Sequence, residues 1–460
     1  MTATMDILSE TASVPVRCFT GEQLAPDAAA RRQLKRLAAL PGLARYVAVL
    51  PDVHAKSRNP TPTGTVVVTR DRLIPRAVDH GVGCGMSMLA TSLPAAEFVP
   101  RALDELFAKL KAEIPVKARD VSLLCDADIE QVLGDGVASR PDLFGLEAAD
   151  LARIENRGRM MSELSASEIL DVVPGKAIRK AANSLGTLGA GNHFLELQEI
   201  VEVLDAGAAA ALGLELGHAF VMLHSDSRRL GKKVLEPAMD DAERTSGAGD
   251  DGDPLWTVPV EGESGRRLVA ALAATTHAAM ANRATILAIV RRTLREVMGH
   301  APLDTRLVFD CSHETIQPEA HDGEQLWVHR HGAGRALPAA AIGDVPVLSE
   351  IGQPVAVPGS MGADSYVAVA RLGADRTFHS VAHGAGRVIE KAAAREKFRT
   401  DQVEEFMRSR GVRLYRYGTD EIAGQMPSSF KDPGSVVDAM TQFGLIRPVV
   451  RLRPMAVLKG

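Results

Sequence analysis

Apolar residues fall along this chain in two rhythms, one strand-like and one helical, and histidines recur where the strand-like runs end. Residues 45–53, 64–69 and 84–91 read as short strands, with a loop rich in Pro, Thr and Asn at 57–63. Residues 212–224 and 304–311 read as buried strands, and 96–113 and 145–170 carry helical periodicity. The longest helix is predicted from Gly265 to Met298, with apolar residues at threes and fours and arginines on the other face. Residues 345–370 are strand and turn punctuated by Gly and Pro. Residues 240–254 are polar, acidic and Gly-rich, and are predicted to be an exposed insertion, because histidine segments on both sides of them must converge. Strands and helices mix without strict alternation, so the prediction is a single α+β domain over 1–460.

Composition narrows this picture. The net charge of −5 excludes a generic polyanion binder, so any nucleic-acid site must be a local basic cleft. Cys18, Cys84, Cys125 and Cys311 show no CxxC spacing, which argues against a disulfide framework and for a reducing compartment. No apolar run reaches membrane-spanning length, and the expected location is the cytoplasm.

The chemistry concentrates in a few segments. Cys84 sits in Gly81-Val-Gly-Cys-Gly85, next to Asp79 and His80, where the backbone permits close approach. Asn192-His193 and Glu196 follow three glycines, a phosphate cradle or simply a turn before a strand. On an extended chain His193 faces away from Asn192 and Glu196. His224 precedes Ser-Asp226-Ser-Arg228-Arg229, a candidate anion site, and His313 precedes Glu314. His329-Arg330-His331-Gly-Ala-Gly-Arg335 reads as a solvated charged face or as a phosphate contact. Ser360 sits on a tight turn, Pro358-Gly-Ser-Met-Gly362. In His383-Gly-Ala-Gly-Arg387, an imidazole can attack a phosphorus centre while the arginine stabilises the charge that develops. Imidazoles with a thiolate suit a transition metal, so the set points to metal-assisted phosphoryl or nucleotidyl transfer.

In order along the chain, Pro51-Asp-Val-His54, Gly83-Cys-Gly-Met86, Leu185 through Glu196, His224-Ser-Asp-Ser-Arg228, His329 through Arg335, Gly352 through Gly362, His383 through Arg387 and Arg451 through Gly460 resemble the RtcB family of RNA-splicing ligases. The resemblance implies a fold of mixed sheets and flanking helices around a central cleft, with Mn²⁺ (one or two ions) and GTP. It implies His383 as the residue that becomes guanylylated, and RNA 2′,3′-cyclic-phosphate or 3′-phosphate ends and 5′-hydroxyl ends as substrates. An activating accessory protein is a further expected partner. By motif match, Cys84, His193, His224 and His313 are metal ligands. Asn192, Glu196, Glu314, Ser360, Arg387 and Lys459 match nucleotide-contacting positions, and Arg228, Arg330 and Arg335 are assigned to RNA or phosphate.

The chain departs from the family pattern at several positions. Gly81 stands where the family carries a metal-binding Asp, and Asp79, or else His80, is expected to supply that carboxylate's role. Asp226 replaces a Gly, Glu314 an Asn, His331 a Lys and Phe430 a Tyr. Three functions follow: a GTP-dependent RNA ligase, a divergent nucleotidyltransferase that caps a 3′-phosphate without joining ends, and a weakly active RNA-end-binding paralogue.

Overall fold

In the computed structural model the described residues are 5–7, 12–79, 81–246, 254–299, 303–343, 345–418 and 422–460. His80 and part of the acidic segment, 247–253, lie outside them. Two large sheets with flanking helices make a mixed α+β domain. The first has six strands in the order 5–7, 16–18, 43–54, 63–69, 324–331 and 314–321. The second has eight strands and runs 305–312, 85–94, 218–225, 194–203, 446–459, 365–370 and 354–357, with 413–416 pairing alongside 446–459. Strand Thr63–Thr69 is buried at every position, which suits its β-branched Val-Val-Val run.

The long helix spans Glu263–Met298 and ends at Gly299, whose left-handed φ of 67° closes the last turn. It is not the amphipathic surface helix that its arginines suggest. Arg283 is fully buried and Arg291 nearly so, each forked onto a carboxylate, Asp310 and Asp150 respectively. Arg283 also donates to the Gly83 carbonyl at 2.6 Å, tying the helix to the turn before Cys84. A Cβ at Gly83 (φ 80°) would sit 2.8 Å from Ala279 Cβ, so only glycine lets that turn lie on the helix. Arg283→Met should cost about 3–5 kcal/mol, because it strands Asp310 as a buried unpaired charge. Urea unfolding measures this, and a loss under about 1 kcal/mol would remove the ion pair from the stability argument.

Three other expectations are corrected. Residues 145–170 do not form one helix: short turns at Ala148–Leu151, Glu155–Gly158 and Ala166–Leu170 are separated by bends, with Asn156 and Arg157 at positive φ. The strand expected over 212–224 begins at His218, because Ala206–Leu212 is an alanine-rich helix capped by Gly213. Residues 240–245 belong to the helix Glu236–Thr245 rather than to an exposed loop.

Candidate active site

Sheet order assembles the site. Neighbouring strands of the eight-stranded sheet end at one edge, and at that edge lie His313, Cys84, His224, His193 and Lys459, in that spatial sequence. The His313 N–H donates to the Cys84 carbonyl at 2.8 Å, locking the two segments together. The edge opens on a cleft of about 770 Å³ lined by all five residues and by His383, Asn192, Glu196, Ser360 and Arg387. The turn before strand Phe194–Val203 twists His193 onto the same cleft as Asn192 and Glu196, against the expectation from simple alternation.

Cys84 Sγ lies 3.2 Å from His224 Nε2 and 3.5 Å from His193 Nε2, and His224 Nε2 is 2.9 Å from His313 Nε2. His224 Nδ1 donates to the Asn192 carbonyl at 3.2 Å, which leaves the Nε2 lone pair turned into the group. Burial holds all three imidazoles in the neutral form, His193 down to about 4 and the other two well below the usual range. Burial, then Asp226 and Glu314, pushes the Cys84 thiol up. Converging neutral nitrogens around one sulfur fit a divalent cation, which would draw Cys84 into its thiolate form.

His383 faces this group, its ring 4.5 Å from that of His313. Its Nδ1 lies 2.7 Å from Asp52 Oδ2, and its backbone N–H donates to the same oxygen at 3.2 Å. Asp52 is fully buried. The close fit needs Gly386 (φ 72°), where a Cβ would sit 2.2 Å from the Asp52 carbonyl oxygen. Lys431 pins the same strand by donating to the Pro51 and Val53 carbonyls at 2.8 and 2.7 Å. The carboxylate holds the Nδ1 proton and leaves Nε2 as a free nucleophilic lone pair.

The sequence model of the RtcB family, described as tRNA-splicing ligase RtcB, matches residues 33–460. The chain belongs to the RtcB family. It is 34% identical to the tRNA-splicing ligase RtcB of Thermococcus kodakarensis, over 97% of this chain and 95% of that protein. It is 32% identical to the Archaeoglobus fulgidus protein of that name, over 93% and 90% of the two chains. It is 34% identical to the RNA-splicing ligase RtcB of Mycobacterium tuberculosis, over 93% of this chain and all of that one. These relatives are named RNA-splicing or tRNA-splicing ligases, and the chain is an RNA ligase enzyme.

Within this RtcB chain the other expected residues fall in different places. Asn192 Oδ1 accepts from Gln425 Nε2 at 2.9 Å and from Arg387 at 3.4 Å. Arg387 also donates to the Gly424 carbonyl and stacks 4.3 Å from the Phe430 ring centre. Glu314 faces the cleft, yet its oxygens already accept the Gly332 and Asp79 N–H groups at 2.9 and 3.2 Å. Burial, with Asp79 nearby, pushes its carboxyl up to about 8. Asp79 does not join the cysteine and histidines: its carboxylate sits 2.7 Å from Lys56 Nζ. Residues 75–77 form a helical turn and 82–83 another turn, and Asp79 lies between them.

Arg228 lies behind the cleft, holding Asp226 at 2.8 Å. Arg330 and Arg335 are buried away from the cleft lining. Arg330 forks onto Glu319 and caps the Phe378 carbonyl at 3.0 Å, and Arg335 bonds Asn156 at 2.6 Å with its Nε 3.6 Å from Glu155, so both are turned to partners outside the cleft. Glu319, His321 and His379 form a second cluster there, but Arg330 already takes both Glu319 oxygens.

Sequence reasoning gave no role to Asp52, although it stands in the matched Pro51-Asp-Val-His54 run. It also missed Lys56, Lys391 and Arg395 on the cleft wall, whose signal is only a scattering of basic residues.

Glu196 and Lys459 both line the cleft. Burial pushes Glu196 up to about 7 and Lys459 down to about 7. Glu196 is raised above its unfolded value of 4.5, so it contributes stability below pH 4.5 that is lost as pH rises to about 7. Lys459 binds fewer protons when folded only between about pH 7 and 10.5, so its contribution changes in a separate window. Glu196→Gln should therefore flatten the stability curve between pH 4.5 and 7 by up to about 3 kcal/mol. Urea unfolding across that range checks it, and an unchanged slope would refute it.

Proposed function

We propose that this chain is a GTP- and Mn²⁺-dependent RNA ligase acting through a guanylylated His383. The observation that carries the reading is the Asp52–His383 pair, which fixes Nδ1 and presents Nε2 to the cleft beside the cysteine–histidine group. Nε2 attacks the α-phosphorus of GTP, a P–N bond forms, the bond to the bridging oxygen breaks, and pyrophosphate leaves. An RNA 3′-phosphate, produced by hydrolysis of a 2′,3′-cyclic phosphate, takes the guanylyl group and frees His383. The 5′-hydroxyl of the other end then attacks the activated phosphorus and GMP departs.

Cys84, His193, His224 and His313 would hold the Mn²⁺, which supplies Lewis-acid charge to phosphoryl oxygens. Lys459, Arg387, Lys391, Arg395 and Ser360 line the cleft; in this reading the first two would meet the triphosphate charge, the next two the RNA, and Ser360 would offer a hydroxyl. The free cysteines suit a cytoplasmic setting, and no described helix is long and apolar enough to cross a membrane.

The test uses α-labelled GTP, Mn²⁺ and two RNAs, one ending in a cyclic phosphate or 3′-phosphate and one beginning with a 5′-hydroxyl. Label on the protein together with a joined RNA supports the proposal. Label with a capped but unjoined 3′ end identifies a capping nucleotidyltransferase instead. RNA binding without label identifies an end-binding protein.

A further inference from the structure

We infer that Asp226 is a metal ligand, completing with Cys84 and His193 a second cation position beside the one formed by Cys84, His224 and His313. The inference rests on the metal-site reading above.

Asp226 follows His224 by two residues, just beyond the end of strand His218–Ser225, and lines the cleft. Its two oxygens have different surroundings. Oδ1 accepts the Arg228 backbone N–H at 2.7 Å and Arg228 Nη1 at 2.8 Å, which fixes the carboxylate. Oδ2 is turned to His193 Nε2 at 3.7 Å, too far for a hydrogen bond. His193 Nε2 is in turn 3.5 Å from Cys84 Sγ. Ligands on one ion, each at about 2.0–2.3 Å from it, sit roughly 3–3.7 Å from one another. His193 Nε2 therefore has the spacing of a fellow ligand to both Cys84 Sγ and Asp226 Oδ2, and Arg228 orients the carboxylate from behind.

The alternatives for a carboxylate at this position are closed. Gly81 has no side chain, and Asp79 is paired with Lys56. A hard oxygen donor also suits Mn²⁺ better than sulfur and nitrogen alone. Cys84 lies between the two donor sets, so its thiolate is shared by both positions.

The experiment is Mn²⁺ titration of the full chain by equilibrium dialysis, with electron paramagnetic resonance reporting free and bound ion. The wild type should bind two Mn²⁺. Asp226→Asn should lose one, or weaken it at least about tenfold, while Asp79→Asn keeps both. The decisive variant returns the carboxylate from the other side of the site. A Cβ at Gly81 would meet nothing closer than Cys84 Cβ at 3.7 Å, so an aspartate fits there. D226G/G81D should bind two Mn²⁺ again, which also shows that the loss in Asp226→Asn is not misfolding. Two ions bound at wild-type affinity by Asp226→Asn would overturn the inference, as would one ion only in D226G/G81D. A wild type that binds one ion, unaffected by Asp226→Asn, overturns Asp226 alone. A wild type that binds none overturns the metal reading with it.

Discussion

His383→Ala should carry no nucleotide after incubation with GTP and Mn²⁺, and RNA joining should fall by at least about four orders of magnitude. His313, whose ring lies 4.5 Å away, is no substitute, because its Nε2 is turned to His224 at 2.9 Å. The wild-type adduct should be labile in acid and stable in alkali, as a P–N bond is. Asp52→Asn makes the companion measurement. It keeps the size of the side chain but replaces the oxygen that holds Nδ1–H, so the ring loses its tautomer and the stabilisation of charge on nitrogen. Labelling should slow by about two to four orders of magnitude without being abolished. Full labelling of His383→Ala would put the nucleophile elsewhere. An unchanged rate in Asp52→Asn would leave Asp52 as a packing residue only.

The residues that make this site were legible one at a time, and their convergence was not. Cys84, His193, His224 and His313 each stand beside a strand end, which a short window of sequence reveals. That they meet depends on a strand order, 305–312, 85–94, 218–225, 194–203, that no local pattern encodes. Asp52 and His383 are 331 positions apart, and they meet only because strand 43–54 packs beside the end of strand 380–382, which belongs to a separate two-stranded sheet. The RtcB resemblance supplied the convergence that periodicity could not. Where motif logic ran locally it failed for identifiable reasons. Asp79 was expected to supply the carboxylate missing at Gly81, but its own carboxylate lies 2.7 Å from Lys56 Nζ. Arg330 looked like a phosphate contact because glycines follow it, yet its guanidinium forks onto Glu319 of the neighbouring strand, 11 residues back. The long helix was found within two residues of its start, but the burial of Arg283 depends on Asp310 waiting in the sheet.

Cys84→Ser should remove most divalent-ion binding and with it RNA joining, while the fold survives. Sulfur stands within 3.5 Å of both His193 and His224, so it is the one donor common to both sides of the group. A serine hydroxyl at that position is nearly isosteric, but at neutral pH it keeps its proton and is a poor ligand beside a thiolate. The surroundings sharpen the effect. Without a cation, burial keeps Cys84 protonated, so a bound ion is what draws the proton off, and metal affinity should rise with pH in the wild type. In Cys84→Ser that pH dependence should weaken, since no thiol proton is released. Mn²⁺ affinity should fall by at least about a hundredfold, measured by equilibrium dialysis at two pH values with thermal unfolding as the control for folding. Because Cys84 is 7% exposed and packs in a polar pocket, the exchange should cost the apo-protein only about 1 kcal/mol. Metal affinity and pH dependence unchanged in a folded Cys84→Ser protein would show that the histidines bind without the sulfur.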